Sequence, residues 1–302
     1  MRKENVKAIF CADKHLQHKA PIWRSAEPDW YEAMKRPLME LKELQKRYEC
    51  PILCAGDIFD NWNSPPELIN FALEYMPFIY AIPGQHDLPN HNIDEIGKSA
   101  FWTLVKATQI EHSASLSNVA SSELTIHSYP YGKVITPISI DSEFTQLLLA
   151  HQYVWIPDFD YQGAPVENRL DKMKHQLKGY DVAVFGDNHK GFLTTAGKTT
   201  VFNCGTLMRR KSDEVDYRPM VGLLLSDGKI KIHYMDISKD KYLTIKNDNM
   251  ITKLDDLKIS DFVKELEKLG STGLDFEEAV NRYFEMNKVA RKTRQILLKA
   301  IK

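Results

Sequence analysis

At 302 residues the chain is long enough for one large domain and a small one, and an apolar fraction of 43% permits a full core. A formal net charge of −1 excludes a polycation, so any nucleic-acid contact has to come from local basic patches. No apolar run approaches the length of a membrane span, and MRKENVKAIF is expected to lead straight into a strand rather than a signal segment.

Short apolar runs alternate with helical patterns through the first half. VKAIFCA (6–12) reads as a buried strand, and residues 30–48 read as a helix with Leu38, Leu41 and Leu44 at helical spacing. PILCAGD (51–57) is a strand running into a turn. Pro65 and Pro66 open a second helix, and FIYAIPG (78–84) is a further strand. Residues 94–107 read as helical. LTIHSYP, QLLLAHQ and DVAVFGD read as strands, with a helix over 166–177 between the last two. TTVFNCG, MVGLLLS and KIKIHYM follow as strands joined by Gly and Asp turns. Alternation first and antiparallel strands later predict an α/β fold, a layered sheet with helices outside.

Past residue 240 the texture turns to Lys, Asp, Asn and Leu. Residues 1–240 are therefore read as the main domain and 241–302 as a helical extension. Ser260 could cap one helix there. Asp275 with Glu278 could open a longer one, along which Phe276, Val280, Tyr283, Met286, Ala290 and Leu297 recur every three or four residues. A lid on the main domain and a docking element for a partner are both compatible with that pattern. The cysteines Cys11, Cys50, Cys54 and Cys204 are scattered, which favours core packing over a zinc site and predicts a reducing, cytoplasmic setting.

The chemistry lies at strand ends. FCADKHLQ offers Asp13 and His15, and CAGDIFD offers Asp57 with Asp60 close behind. IPGQHD offers Gln85, His86 and Asp87, after a Gly84 expected to turn the backbone sharply. LLLAHQ offers His151, and VFGDNHKG offers Asp187 and His189. A lone His or a lone Gly-Asp in such a place is commonly structural. Here every such motif closes an apolar run, and four of the ten histidines fall in them, which predicts a functional site beyond the carboxyl ends of the strands. Nitrogen and oxygen donors without cysteine point to two divalent ions rather than one structural zinc. Such a pair activates water for attack on a phosphoryl group, with a carboxylate such as Asp57 bridging the ions. The sequence carries neither a Walker-type loop nor a nucleophile elbow.

This ordered set resembles the calcineurin-like metallophosphoesterase family, whose pattern is D-x-H, G-D, G-N-H-D or -E, H and G-H-x-H. The resemblance spans about residues 5–235. It implies an α/β/β/α sandwich in which Asp13, His15 and His189 hold one ion, Gln85, His151 and Asp187 hold the other, and Asp57 bridges. It also implies that His86 meets the substrate phosphate and protonates the leaving oxygen, with Asp87 orienting its ring. ADKHLQHKAPIWR, GDIFDNWNSP and VFNCGTLMRRKSDE are most similar to the SbcD-type DNA repair nuclease subunits, including short phage versions. By that likeness the chain would cut DNA with Mn²⁺ (Mg²⁺ being the alternative) in the cytoplasm, that of the host for a phage version. It would form a homodimer and bind an SMC-like ATPase of the SbcC type through residues 258–301. A stand-alone nucleotide phosphodiesterase, a protein phosphatase and a weakly active scaffold are the other readings.

Two positions depart from the pattern. Gln85 stands for Asn and Asp187 stands for the first His of G-H-x-H, both at the second ion, making that site harder and more negative. Arg209, Arg210 and Lys211 are candidates to grip a phosphate backbone. Trp23 and Trp62 are candidates to stack on bases, with rim packing as the plainer reading.

Overall fold

The structure, a computed structural model, describes residues 5–112, 123–139, 142–161 and 163–243. The chain divides into two compact units, Met1–Leu243 and Thr244–Lys302. The expected C-terminal helices lie outside the described residues.

The strands are β1 (Val6–Cys11), β2 (Ile52–Cys54), β3 (Ile79–Ala81), β4 (Ile110–His112), β5 (Leu124–Tyr129), β6 (Thr145–His151), β7 (Val182–Gly186), β8 (Phe192–Ala196), β9 (Thr199–Asn203), β10 (Met220–Leu225) and β11 (Ile230–Tyr234). The helices are α1 (Trp30–Tyr48), α2 (Pro66–Tyr75), α3 (Ala100–Lys106) and α4 (Leu170–Met173). They form two sheets, one in the order β11-β10-β1-β2-β3-β4 and the other β5-β6-β7-β9-β8. Strands β1 to β4 run parallel in the first sheet, as do β5, β6, β7 and β9 in the second.

Strand alternation sorts the side chains into layers. Ala8 and Phe10 of β1 meet Leu147 and Leu149 of β6 and Val182 and Val184 of β7 in a core between the sheets. Ile9 and Cys11 point the other way, onto Leu38, Leu41 and Leu44 of α1 and Leu68 and Ala72 of α2. Leu148 and Ala150 of β6 face outward onto Leu170 and Met173 of α4. The order is therefore helix, sheet, sheet, helix, the expected α/β/β/α sandwich.

Local chemistry sets the element ends. Asp29 caps α1 by accepting from the backbone N–H of Tyr31 and Glu32, and Pro66 occupies the first turn of α2. Residues 94–107 are not one helix. Ser99 is extended, and its hydroxyl accepts from the Trp102 N–H to start α3, after a separate 3-10 segment Ile93–Lys98. The helix expected over 166–177 is likewise reduced to a 3-10 turn at Val166–Asn168 and the short α4. Arg169 between them is extended and bridges to Trp155. Strands β4 and β8 escaped the sequence pattern. The alternately exposed residues of β8, an edge strand, leave little apolar signal.

Candidate metal centre

The strands carrying the predicted ligands end on one side of the sandwich, but in two sheets rather than one. Asp13, Asp57 and Gln85 follow the parallel neighbours β1, β2 and β3. His151 and Asp187 lie at the ends of β6 and β7, in the other sheet. Each loop must turn abruptly. Of ten non-glycine residues with positive φ among the described residues, four are Asp13 (48°), His15 (42°), Asp57 (52°) and Asp187 (82°). Asp and His tolerate this left-handed backbone better than most residues, and such strain gathers where side chains are aimed at a site. Gly56 adopts φ +96°, and a Cβ there would lie 2.3 Å from His151 Nδ1. Gly84 has an ordinary φ of −93°. Its need for glycine comes instead from proximity, since a Cβ would lie 2.0 Å from Asp57 Oδ1.

The first cluster joins Asp13, His15 and His189, whose ligand atoms lie within 4.8 Å of one another. His15 Nε2 and His189 Nε2 face each other at 3.0 Å. Carboxylates stand behind the far nitrogens, His15 Nδ1 at 3.2 Å from Asp60 Oδ1 and His189 Nδ1 at 3.5 Å from Glu214 Oε1, close enough to pair in charge but not aligned as hydrogen bonds. A carboxylate behind a ring fixes its tautomer and directs the other nitrogen inward. Burial, reinforced by Arg210 and the neighbouring histidines, keeps His15 well below its ordinary pKa and therefore neutral.

The second cluster centres on His151. Its Nδ1 lies 2.6 Å from the Ala55 carbonyl, which assigns the proton to that nitrogen and leaves Nε2 facing Gln85 Oε1 at 2.6 Å and Asp57 Oδ2 at 3.5 Å. Gln85 Nε2 donates to Asp187 Oδ1 at 2.8 Å. The two residues that depart from the family pattern therefore touch each other.

Asp57 stands between the clusters. Its Oδ1 accepts from the His86 N–H at 3.0 Å. Its fully buried Oδ2 receives no hydrogen bond from the described residues, and lies 3.6 Å from His15 Nε2 and 3.5 Å from His151 Nε2. An orphaned buried carboxylate oxygen between two imidazoles lacks only positive charge. Burial and the nearby carboxylates Asp57 and Asp187 push Asp13 well up, against the pull of His151. Burial works to lower the His151 pKa, but Asp57, Asp13 and Asp187 hold it well above its usual value. The donor set of carboxylates, imidazoles and an amide oxygen fits divalent ions that prefer nitrogen and oxygen.

His86 lines the cavity beside these clusters. Its Nδ1 lies 2.8 Å from the Asp60 carbonyl, leaving the other ring nitrogen for chemistry. Asp87 does not orient it, contrary to the expectation from sequence. The Asp87 carboxylate is fully buried and accepts from the backbone N–H groups of Ile58, Phe59 and Gly84, which fixes the loop after β2 against the loop after β3. Burial and the Asp57 charge push it up to about 7, against those donors.

The basic triplet is also corrected in part. Arg209 is buried and engaged by Asp240 and the Val215 carbonyl. Arg210 is buried and donates to Asp60 at 2.7 Å, which makes it a prop for the His15 partner. Only Lys211 of the three is exposed, and it faces the cavity. Neither Trp23 nor Trp62 borders that cavity.

Sequence reasoning missed Glu214 and Asn188. Glu214 is the last residue of the quoted VFNCGTLMRRKSDE stretch, but attention fell on its cations. Burial raises the Glu214 pKa, yet His189 and the N–H groups of Arg210 and Lys211 hold it down to about 2. Asn188, between two candidate ligands, turns away from them. It donates to the carbonyls of Val154 and Phe159 at 2.8 and 2.7 Å. The cysteines are free and buried. Cys11 and Cys54 accept from the Lys14 ammonium at 3.2 and 3.0 Å, so the residue between Asp13 and His15 is anchored behind the site.

No family model and no curated protein sequence matches the chain. Solved structures with a similar fold include the sulfate thiohydrolase SoxB of Thermus thermophilus in complex with glycerol, at 12% identity and TM-score 0.48, covering 79% of this chain and 58% of that one. A novel archaeal phosphodiesterase aligns at 11% identity and TM-score 0.40, over 76% of this chain and 99% of its own. A metallophosphoesterase from Sphaerobacter thermophilus aligns at 10% identity and TM-score 0.38, over 88% and 94%.

Proposed function

We propose that the chain is a metal-dependent phosphodiesterase that cleaves DNA, in the manner of an SbcD-type nuclease subunit. The observation that carries this is the orphaned Asp57 Oδ2, buried between His15 Nε2 and His151 Nε2 at the seam of two ligand clusters. Asp13, His15 and His189 would hold one ion, and Gln85, His151 and Asp187 the other, with Asp57 shared. Two such ions polarise a water and neutralise developing phosphoryl charge. The hard, carboxylate-rich second cluster favours Mn²⁺ or Mg²⁺ over zinc.

The side chains divide the remaining work. Glu214 and Asp60 stand behind the rings of His189 and His15, and the Ala55 carbonyl holds that of His151. His86 keeps its Nδ1 proton on the Asp60 carbonyl, which leaves Nε2 for the substrate, and the doubly protonated ring would give its Nε2 proton to the leaving oxygen and become neutral. Lys211 is the member of the basic triplet left at the cavity rim for a substrate phosphate.

An SMC-like ATPase of the SbcC type as partner, docked on the helices expected over 258–301, belongs to the same proposal, as does a homodimer. The amphipathic pattern of that segment supports the docking. A second reading, a phosphodiesterase of small nucleotides, is favoured by one observation: Arg209 and Arg210 are both buried in ion pairs rather than presented to a long polyanion.

The test is cleavage of labelled single- and double-stranded DNA with Mn²⁺ by the wild type, His86→Ala and Asp13→Ala. Cleavage by the wild type alone, with metal binding retained in His86→Ala, supports the reading. Inert DNA beside rapid hydrolysis of a cyclic or dinucleotide diester would replace it with the second.

A further inference from the structure

We infer that the cavity beside the ligand clusters is built to receive the nucleoside of one unpaired nucleotide, so that substrate enters as a single strand end rather than as an intact duplex. This rests on the phosphodiesterase reading above and names which part of the substrate the site grips besides its phosphate.

The cavity measures about 630 Å³ and opens directly onto His86, Asp187 and His189. That volume accommodates a nucleotide and not a base-paired helix. One wall is aromatic. Tyr153 and Tyr161 pack edge to face at 5.1 Å, and Phe159 joins them at the same wall. Tyr161 is 51% exposed and Phe159 36%, so large flat rings stand open to solvent beside a polar centre. Such rings are the surface on which bases stack, whatever their sequence.

The wall is set in place by the residues that set the ligands. Asn188 holds the carbonyls of Val154 and Phe159, and Lys190 donates to the carbonyl of Asp160. The backbone at 187–190 therefore carries Asp187 and His189 on one side and the aromatic loop on the other. The distance from scissile phosphate to ring is fixed by one short segment.

Charge selects against a second phosphate. Apart from the residues of the ligand clusters, the lining carries Asp158, Asp160, Asp213 and Glu214 against Lys190 and Lys211. A strand laid through this cavity would meet a net negative wall. A neutral ring would not, and the exocyclic amines of adenine and cytosine are donors that carboxylates accept.

The experiment measures binding to the metal-free full chain by calorimetry or ligand-observed NMR. The probes are adenosine, cytidine and, as a control without a base, ribose 5-phosphate. The wild type is expected to bind both nucleosides. Tyr161→Ala should weaken them about tenfold, from the loss of one stacking partner. Tyr161→Phe should keep nearly full affinity, and ribose 5-phosphate should not distinguish the three proteins. Nucleosides that fail to bind, or that bind Tyr161→Ala as well as wild type, overturn the inference. With Mn²⁺, Tyr161→Ala should raise KM for single-stranded DNA about tenfold with kcat little changed. If DNA is cut and Tyr161→Ala has an unaltered KM, the inference fails while the phosphodiesterase reading stands. If nucleosides bind in a Tyr161-dependent way but no phosphodiester is cleaved with any divalent ion, that reading fails and the binding site remains.

Discussion

His15 Nε2 and His189 Nε2 meet nose to nose at 3.0 Å, although one ring follows β1 in the first sheet and the other follows β7 in the second. Two ring nitrogens at that distance need a proton or a cation between them. With Asp13 beside them, a divalent ion is the expected solution. Addition of Mn²⁺ should raise the unfolding midpoint, by an amount equivalent to about 2.7 kcal/mol at a hundredfold excess over Kd. Differential scanning fluorimetry across a metal titration checks this, and Asp57→Asn, which removes the shared charge, should abolish most of the rise.

His86 touches no other ligand-cluster side chain through its Nδ1, only the Asp60 carbonyl. His86→Ala should lower kcat about 10²- to 10⁴-fold, as for loss of a general acid, while leaving the Mn²⁺-induced stabilisation in place. A diester with a very good leaving group, which needs no protonation, should be spared most of that loss. Equal losses on good and poor leaving groups would remove His86 from the role.

Asp87 gives the opposite expectation. Asp87→Asn replaces an acceptor of three backbone N–H groups with an amide that can satisfy fewer of them, at a cost of about 1–3 kcal/mol. Chemical denaturation should show that loss. The pH profile of kcat, if it reports His86, should keep its shape, because no hydrogen bond joins the Asp87 carboxylate to that ring.

Glu214 links stability to acid. Its folded pKa of about 2 lies below the ordinary 4.5, so its ionised form stabilises the fold. That contribution is fully present above pH 4.5 and is lost as pH falls from 4.5 toward 2. It amounts to about 3 kcal/mol by linkage. In chelator, Glu214→Gln should be less stable than wild type near neutrality, and the two should converge at the acid end. The same substitution should weaken metal affinity about 10- to 100-fold by freeing the His189 ring.

Gln85 and Asp187 should behave as one unit, since Gln85 Nε2 donates to Asp187 Oδ1 while its Oε1 meets His151. Asp187→His alone should shift metal preference toward zinc but strand the Gln85 amide. Adding Gln85→Asn should recover part of the lost Mn²⁺ or Zn²⁺ affinity. A double-mutant cycle on metal binding is expected to show a coupling of about 0.5–3 kcal/mol, whereas strict additivity would mean the pair is incidental.

Much of this was legible because burial and chemistry coincide at strand ends. VKAIFCADKH, LLLAHQ and VFGDNH each pass from apolar run to candidate ligand without a gap, and the structure brings those strand ends together from the two sheets. What sequence spacing could not convey is which sheet each strand joins, or where a carboxylate points once its loop turns. Asp87 lies next to His86 in the chain but faces the backbone behind it. Glu214 lies 25 positions from His189 yet faces its ring. Arg209 and Arg210 read as surface charge because nothing local reveals Asp240 and Asp60 as their partners. The helices misjudged at 94–107 and 166–177 failed at single residues, Ser99 and Arg169, whose extended backbone interrupts an acceptable helical rhythm.

The candidate ligands straddle the boundary between the sheets, and that gives them a mechanical meaning. The core between β1 and β6 is apolar and directionless, so side-chain packing alone offers modest resistance to one sheet sliding on the other. Asp13, Asp57 and Gln85 on one side and His151, Asp187 and His189 on the other are the directional contacts at that edge. Ions held there would rivet the two sheets in register, and shear between them would have to break coordination before it could disturb the alignment of His86.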